Sequence, residues 1–189
     1  MFLPTIWKVL YCAWLASEIY IAIATRTRGG VGKVSDRGTM LLLWIVIFAS
    51  ITVGVWISES QGSNLPAGAH WLKPVSFLVL LAGLVLRWAA VLGLGKAFSA
   101  NVAIQTTQTV KKDGLYRWMR HPSYTGILLC LLAVGLHTRN WISLLVIVIP
   151  CTAAFLYRIH VEEIVLRNHF GQEYIDYSSH TKRLIPGIY

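Results

Sequence analysis

An all-α integral membrane bundle of about five helical segments is the fold class this chain predicts, on three observations. Of its 189 residues, 56% are hydrophobic and the mean hydropathy is +0.59. Only 13% are charged, about half of the roughly 25% found in soluble domains. The apolar residues also gather into runs near the ~20 residues that cross a bilayer as helix. A soluble domain of this size has too little interior for so much apolar surface. The balance excludes a disordered tail, a collagen-like fibre and an ordinary water-soluble enzyme. Lipid admits only helices or closed barrels, because every backbone polar group must be satisfied internally.

The spans follow in order. The first is Thr5–Thr25, expected to stay in the membrane because it lacks a basic leader and is long for a cleaved signal. A basic loop, Arg26 to Arg37, precedes the second span, Thr39–Ile57. A polar stretch, Ser58 to Lys73, leads to the third, Pro74–Leu94. Gly93-Leu94-Gly95 closes that span and reads as a place of close helix packing. The longest polar stretch, Gly95 to Pro122, comes next. Two shorter runs, Ser123–Leu136 and Trp141–Tyr157, are joined by His137-Thr138-Arg139-Asn140 and form a hairpin or a short crossing. Pro150 is expected to kink the second run. From Arg158 to Tyr189 the chain turns polar and aromatic, with Val161, Val165, Leu166, His169 and Phe170 near helical spacing. Residues 1–94 thus hold three membrane helices and 95–189 a hairpin with an amphipathic tail, the whole read as one structural domain.

The net charge of +9 would suggest nucleic acid in a soluble protein. Here the basic residues lie between apolar spans, where topology and anionic lipid head groups account for them, and no nucleic-acid partner is expected. Arg26, Arg28, Lys33 and Arg37 in the first loop, Lys96, Lys111, Lys112, Arg117 and Arg120 in the third, and Arg158, Arg167, Lys182 and Arg183 in the tail carry most of them. The positive-inside rule puts these on the cytosolic side and the N-terminus outside. Cys12, Cys130 and Cys151 all fall in apolar runs and read as buried thiols, with no metal site implied.

The polar chemistry converges on that cytosolic side. Arg120-His121-Pro122-Ser123-Tyr124 sits where the third loop enters the membrane. Pro122 suits a helix start, and a helix N-terminus favours carboxylate or phosphate. A basic interfacial anchor explains the same residues. Arg158 and Glu162 share a helix face at i, i+4. They read either as an interfacial ion pair or as a site in which Glu162 takes a cationic ligand and Arg158 faces an anionic one. Glu18 and Arg87 lie at matching depth in the first and third spans and read as a pair locking two helices.

The run Gly114-Leu-Tyr116-Arg-Trp-Met-Arg120-His121-Pro122-Ser123-Tyr124-Thr-Gly126 is followed by Arg158-x-x-x-Glu162-Glu163. Then come Phe170-Gly171-Gln-Glu173-Tyr174-x-x-Tyr177 and Arg183-Leu-Ile-Pro186. This ordered set resembles the isoprenylcysteine carboxyl methyltransferase family, which is related to the membrane phospholipid methyltransferases. The resemblance covers about Arg87 to Tyr189. It implies an S-adenosyl-L-methionine cofactor bound by the 95–189 region and a lipophilic or prenylated substrate arriving from the bilayer. It implies cofactor contacts at His121, Pro122, Ser123, Tyr124, Tyr116 and Glu162. Upstream it implies Gln105, within Asn101-Val-Ala-Ile-Gln105, and the segment Gln108, Thr109, Val110 and Lys111, which is shorter here than in the family. Arg158 matches a catalytic, substrate-side arginine near the methyl acceptor. The implied reaction is methyl transfer to an isoprenylcysteine-like carboxylate. A phospholipid amine acceptor, with Glu163 or His160 as base, an NADPH-dependent membrane reductase and a non-enzymatic membrane scaffold remain alternatives.

Overall fold

The computed structural model describes residues 2–25, 32–34, 38–62, 69–95, 98–99, 103–105 and 109–189. The long helices are α1 (Phe2–Ala24), α2 (Thr39–Gln61), α3 (Leu72–Leu94), α4 (Pro122–His137) and α5 (Trp141–Phe170), and a short α6 (Gln172–His180) follows. Four stretches, Thr5–Ala24, Thr39–Gln61, Ala69–Leu94 and Trp141–Phe170, are long and apolar enough to cross a membrane. The fifth, α4, has 16 residues, about 24 Å of helix. The apolar residues Ile23, Leu41, Leu92 and Ile149 stay on the outside, where lipid rather than protein covers them. This is an all-α integral membrane protein.

Local chemistry fixes the helix ends. Pro122 occupies the first turn of α4, where its missing N–H costs nothing. Asn140 caps α5: its side chain accepts from the Ser143 N–H at 3.0 Å, and its Nδ2 donates to the Gly62 carbonyl at 2.9 Å. One side chain thereby starts α5 and ties it to the end of α2.

Packing pairs α3 with α4 and α2 with α5, and α4 with α5. Small residues set the approach. A Cβ on Gly126 would stand 2.7 Å from the Arg87 nitrogen, and one on Gly83 2.7 Å from the Gly126 carbonyl oxygen. At those distances only glycine fits. Leu80, Cys130, Leu131, Ile147, Cys151 and Phe155 are fully buried between these helices. Because helices from both halves interleave, the pattern supports the proposal that 1–94 and 95–189 form one structural domain.

Several expectations change. Close packing falls at Gly83 and Gly126, not at Gly93-Leu94-Gly95: a Cβ on Gly93 meets only Tyr116 at 3.9 Å, and Gly95 ends α3 with φ +53° in open space. The reason is depth, since α3 and α4 meet in the middle of α3. The fifth segment continues past the apolar run that ends at Tyr157, as the helical spacing of Val161 to Phe170 predicts. It runs through Pro150 to Phe170 as one helix of 30 residues, about 45 Å, and so carries its last turns past the bilayer. Cys130 and Cys151 are buried, but Cys12 is exposed, facing out from α1. A two-stranded antiparallel ribbon, β1 (Gly32–Val34) with β2 (Ala103–Gln105), joins the first and third loops.

Candidate active site

The site begins where residues 114–117 form a turn of 3-10 helix and the chain then enters α4. Residues 119–125 are held from the side by the C-terminal strip. The Arg120 and His121 N–H groups donate to the Lys182 and Arg183 carbonyls at 2.8 and 2.9 Å. Thr125 Oγ1 donates to the Leu184 carbonyl at 2.8 Å. Strip and loop meet in a parallel bridge, Met119 with Lys182.

Glu162 and Glu163 are consecutive on α5, so they project about 100° apart. Glu162 accepts a hydrogen bond from the Tyr124 hydroxyl at 2.6 Å. Glu163 points away into a cluster of cations. Arg120 Nε lies 2.8 Å from Oε1, Arg183 Nη2 2.9 Å from Oε2 and Arg167 Nη2 3.7 Å from Oε2. His121 Nε2 stands 3.5 Å from Oε1. Hydrogen bonds to Glu163 hold the Arg183 guanidinium above its ordinary pKa.

Arg158 is 2% exposed. Its Nε donates to the Tyr124 hydroxyl at 3.1 Å and its Nη1 to Thr39 Oγ1 at 2.8 Å. Tyr124 thus stands between Arg158 and Glu162, accepting from one and donating to the other. The Glu18–Arg87 pair forms as read from the sequence. Arg87 Nε and Nη2 donate to the two Glu18 oxygens at 3.1 and 2.9 Å. Its Nη1 also donates to Ser123 Oγ, and its guanidinium lies 5.5 Å from the Phe98 ring centroid.

These groups border one cavity of about 300 Å³. Its polar end is lined by Thr109, Val110, Lys111, Tyr116, His121, Ser123, Tyr124, Arg158 and Glu162. Its apolar arm runs between α1 and α2, past Phe155 and Ile47 to Ile51. Pro122 is fully buried and does not line the cavity; its place is the helix start. The Gln105 backbone lies in β2, but its side chain and all of Gln108 fall outside the described residues.

The site also holds residues to which the sequence assigned no role there. Glu18 and Arg87 line the cavity as well as pairing, and Phe170, Tyr174 and Tyr177 close its polar end. The signal was the i, i+3 spacing of Tyr174 and Tyr177, which places both on one face of α6. Tyr177 donates to the Tyr116 carbonyl at 2.6 Å, and Tyr116 to the Ala90 carbonyl at 3.1 Å. Burial pushes the Tyr177 hydroxyl up to about 12 and raises Tyr116 and Tyr174 as well. All three remain neutral hydroxyls at physiological pH.

Residues 75–168 match the model of the family described as the Isoprenylcysteine carboxyl methyltransferase (ICMT) family. Protein-S-isoprenylcysteine O-methyltransferase B of Arabidopsis thaliana is 28% identical over 174 residues, which is 91% of this chain and 87% of that protein. The chain belongs to the isoprenylcysteine carboxyl methyltransferase family. Protein-S-isoprenylcysteine O-methyltransferase of Mus musculus is 32% identical over 62% of this chain and 42% of its own length. The corresponding enzyme of Tribolium castaneum is 31% identical over 63% and 43%. The chain therefore spans less than half of these longer relatives. The solved structure of the eukaryotic intramembrane Ras methyltransferase, an isoprenylcysteine carboxyl methyltransferase, superposes with a TM-score of 0.61 at 25% identity. It covers 78% of this chain and 52% of its own. The stretch shared with the isoprenylcysteine carboxyl methyltransferase family runs from α3 into α5. It contains Arg87, His121, Tyr124, Arg158 and Glu162, while Tyr174, Tyr177 and Arg183 lie beyond it.

Proposed function

We propose that this chain transfers the methyl group of S-adenosyl-L-methionine to the carboxylate of an isoprenylcysteine-like amphiphile taken from the bilayer. The observation that carries the reading is Arg158: a buried guanidinium at the junction between the polar end of the cavity and its apolar arm. An amphiphile with an anionic head and an isoprenoid tail matches that change of character.

The polar end fits the cofactor. Glu162 offers a carboxylate to an ammonium group. Tyr116, Phe170 and Tyr174 offer aromatic faces and edges. The Tyr174 hydroxyl is buried with no hydrogen-bond partner among the described residues, a group that a bound ligand would satisfy. When bound, the cofactor supplies a methyl group activated by its sulfonium. His121, Ser123 and the first turn of α4 suit its carboxylate, and Thr109, Val110 and Lys111 flank it. Tyr124 holds Glu162 and Arg158 in fixed relation. Arg158 holds the acceptor carboxylate, which is already anionic, so its alignment and removal from water carry the acceleration.

Among the described residues, neither base named for an amine acceptor is placed to serve the cavity. Glu163 is occupied by arginines, His160 is exposed, and neither lines the cavity. This favours a carboxylate acceptor over a phospholipid amine. We further propose that the polar end faces the cytosol and the N-terminus lies outside, as the loop charges require.

The test is calorimetric binding of S-adenosylhomocysteine to detergent-solubilised protein, beside His121→Ala and Glu162→Gln, with methyl transfer to a prenylcysteine measured in parallel. Wild-type binding that is weakened in both variants, with turnover abolished in Arg158→Ala, is expected. Folded wild type that binds no S-adenosylhomocysteine overturns the reading, and protection by NADPH instead would move the chain to the reductase class.

A further inference from the structure

A second cavity, of about 520 Å³, lies between α1, α2 and the end of α4, toward the face opposite the polar site. Trp7, Val55, Trp56, Val134 and His137 form its wall, and Glu59 marks its rim. The Trp7 and His137 rings stack at 3.7 Å, 1° from parallel, and Ser76 Oγ lies 3.2 Å from His137 Nδ1. That stack is a built floor, fixed from α1, α3 and α4 together.

Tyr11, Ile51 and Thr52 line both this cavity and the apolar arm of the active site. Tyr11 is the large one of the three, and its ring is held against the buried Trp14 at 5.8 Å. The two spaces are therefore neighbours with a partition between them. The partition sits at a definite depth. Thr39 bonds to Arg158, and Ile51 lies about 18 Å beyond it along α2. Val55, inside the outer cavity, is about 24 Å from the same origin.

We propose that Tyr11, with Ile51 and Thr52 opposite, is the end-stop for the isoprenoid tail and sets the chain length this enzyme accepts. The inference rests on the reading that the acceptor is an isoprenylcysteine-like amphiphile. With its carboxylate held at Arg158, the tail runs down the arm, and its last isoprene unit meets the Tyr11 ring. A longer tail needs the volume behind that ring. Removing the ring merges the two spaces and moves the stop to the Trp7–His137 floor. The surface gained is mainly apolar, from Trp7, Val55, Trp56 and Val134, until Glu59, where a hydrocarbon tail must end because burying a carboxylate against it is costly.

The experiment measures kcat/KM of the full chain in detergent for N-acetyl cysteines bearing geranyl, farnesyl and geranylgeranyl groups. Wild type, Tyr11→Ala and Thr52→Trp are compared, with S-adenosylhomocysteine binding as the check on folding. Tyr11→Ala should raise the ratio of the longest to the shortest acceptor by about tenfold or more, since one methylene in an apolar pocket is worth about 10–200-fold. Thr52→Trp should lower the same ratio. Wild type that methylates none of the three sinks the acceptor reading and this inference together. Wild type that methylates them, with a ratio unmoved in both variants that still bind S-adenosylhomocysteine, sinks the end-stop alone. Should Tyr11→Ala fail to bind S-adenosylhomocysteine, Thr52→Trp decides by itself: a fall in its ratio supports the stop, and no change overturns it.

Discussion

Glu162 and Glu163 are adjacent in the chain yet serve different surroundings: Glu162 accepts from Tyr124 at the cavity wall, while Glu163 lies outside the cavity among Arg120, Arg167, Arg183 and His121. One helix step of about 100° separates them. Removing each charge should therefore have a different consequence.

Glu163→Gln should cost stability. Its side chain is 3% exposed, and breaking a buried pair while leaving its partners charged costs about 3–5 kcal/mol. Thermal unfolding in detergent should show a clear drop in midpoint. Glu162→Gln should leave the midpoint near wild type and weaken S-adenosylhomocysteine binding instead. Equal destabilisation by both would contradict the division of roles.

Tyr124→Phe removes the hydroxyl that donates to Glu162 and accepts from Arg158. Loss of a hydrogen bond to a charged group is worth about 1.5–3 kcal/mol, so kcat/KM for methyl transfer should fall by about 10- to 100-fold. A variant with wild-type kinetics would show that the Tyr124 hydroxyl positions neither group.

Glu18→Gln should loosen α1 from α3, because Arg87 is buried and bidentate on Glu18. A double substitution, Glu18→Leu with Arg87→Met, should recover much of that stability, since an apolar pair often replaces a buried ion pair at little cost. It should not recover turnover, because Arg87 also bonds Ser123 and lines the cavity. Full recovery of turnover would make the pair purely structural.

The tyrosines give a pH dependence. Tyr177 is raised by burial from 10.0 to about 12. A tyrosine whose folded value lies above its unfolded one holds its proton more tightly when folded. The stability it contributes is fully present below pH 10.0 and is lost as the pH climbs toward 12. Unfolding midpoints taken across that window should fall for wild type and fall less steeply for Tyr177→Phe. Parallel curves would mean that Tyr177 does not titrate with unfolding.

Topology has its own check. A cysteine placed at Gln61 in a background lacking Cys12 should react with an impermeant reagent added outside, and one at Lys112 should not. The reverse pattern overturns the proposed orientation.

The class of this protein was legible in its residues. Runs of about twenty apolar residues require helices in lipid, and Pro122 marked the start of α4 because proline lacks the donor that a first turn does not need. The Glu18–Arg87 pair could be read as well, since two opposite charges at one depth in a membrane must find each other. Direction was not legible. Val161 to Phe170 carry helical spacing in the sequence, but that Glu163 meets Arg120 and His121 ahead of α4 and Arg183 in the tail depends on the fold. Among the described glycines the closest backbone-to-backbone approach went to Gly83 and Gly126, because proximity is a property of two helices and not of a glycine's neighbours in sequence. Composition alone left Arg158 and Glu162 as an ion pair or a site. Tertiary packing decided how they stand, by setting the Tyr124 hydroxyl between them and running a cavity past both. A sequence records which groups must be buried; only the folded chain determines which buried groups face one another across empty space.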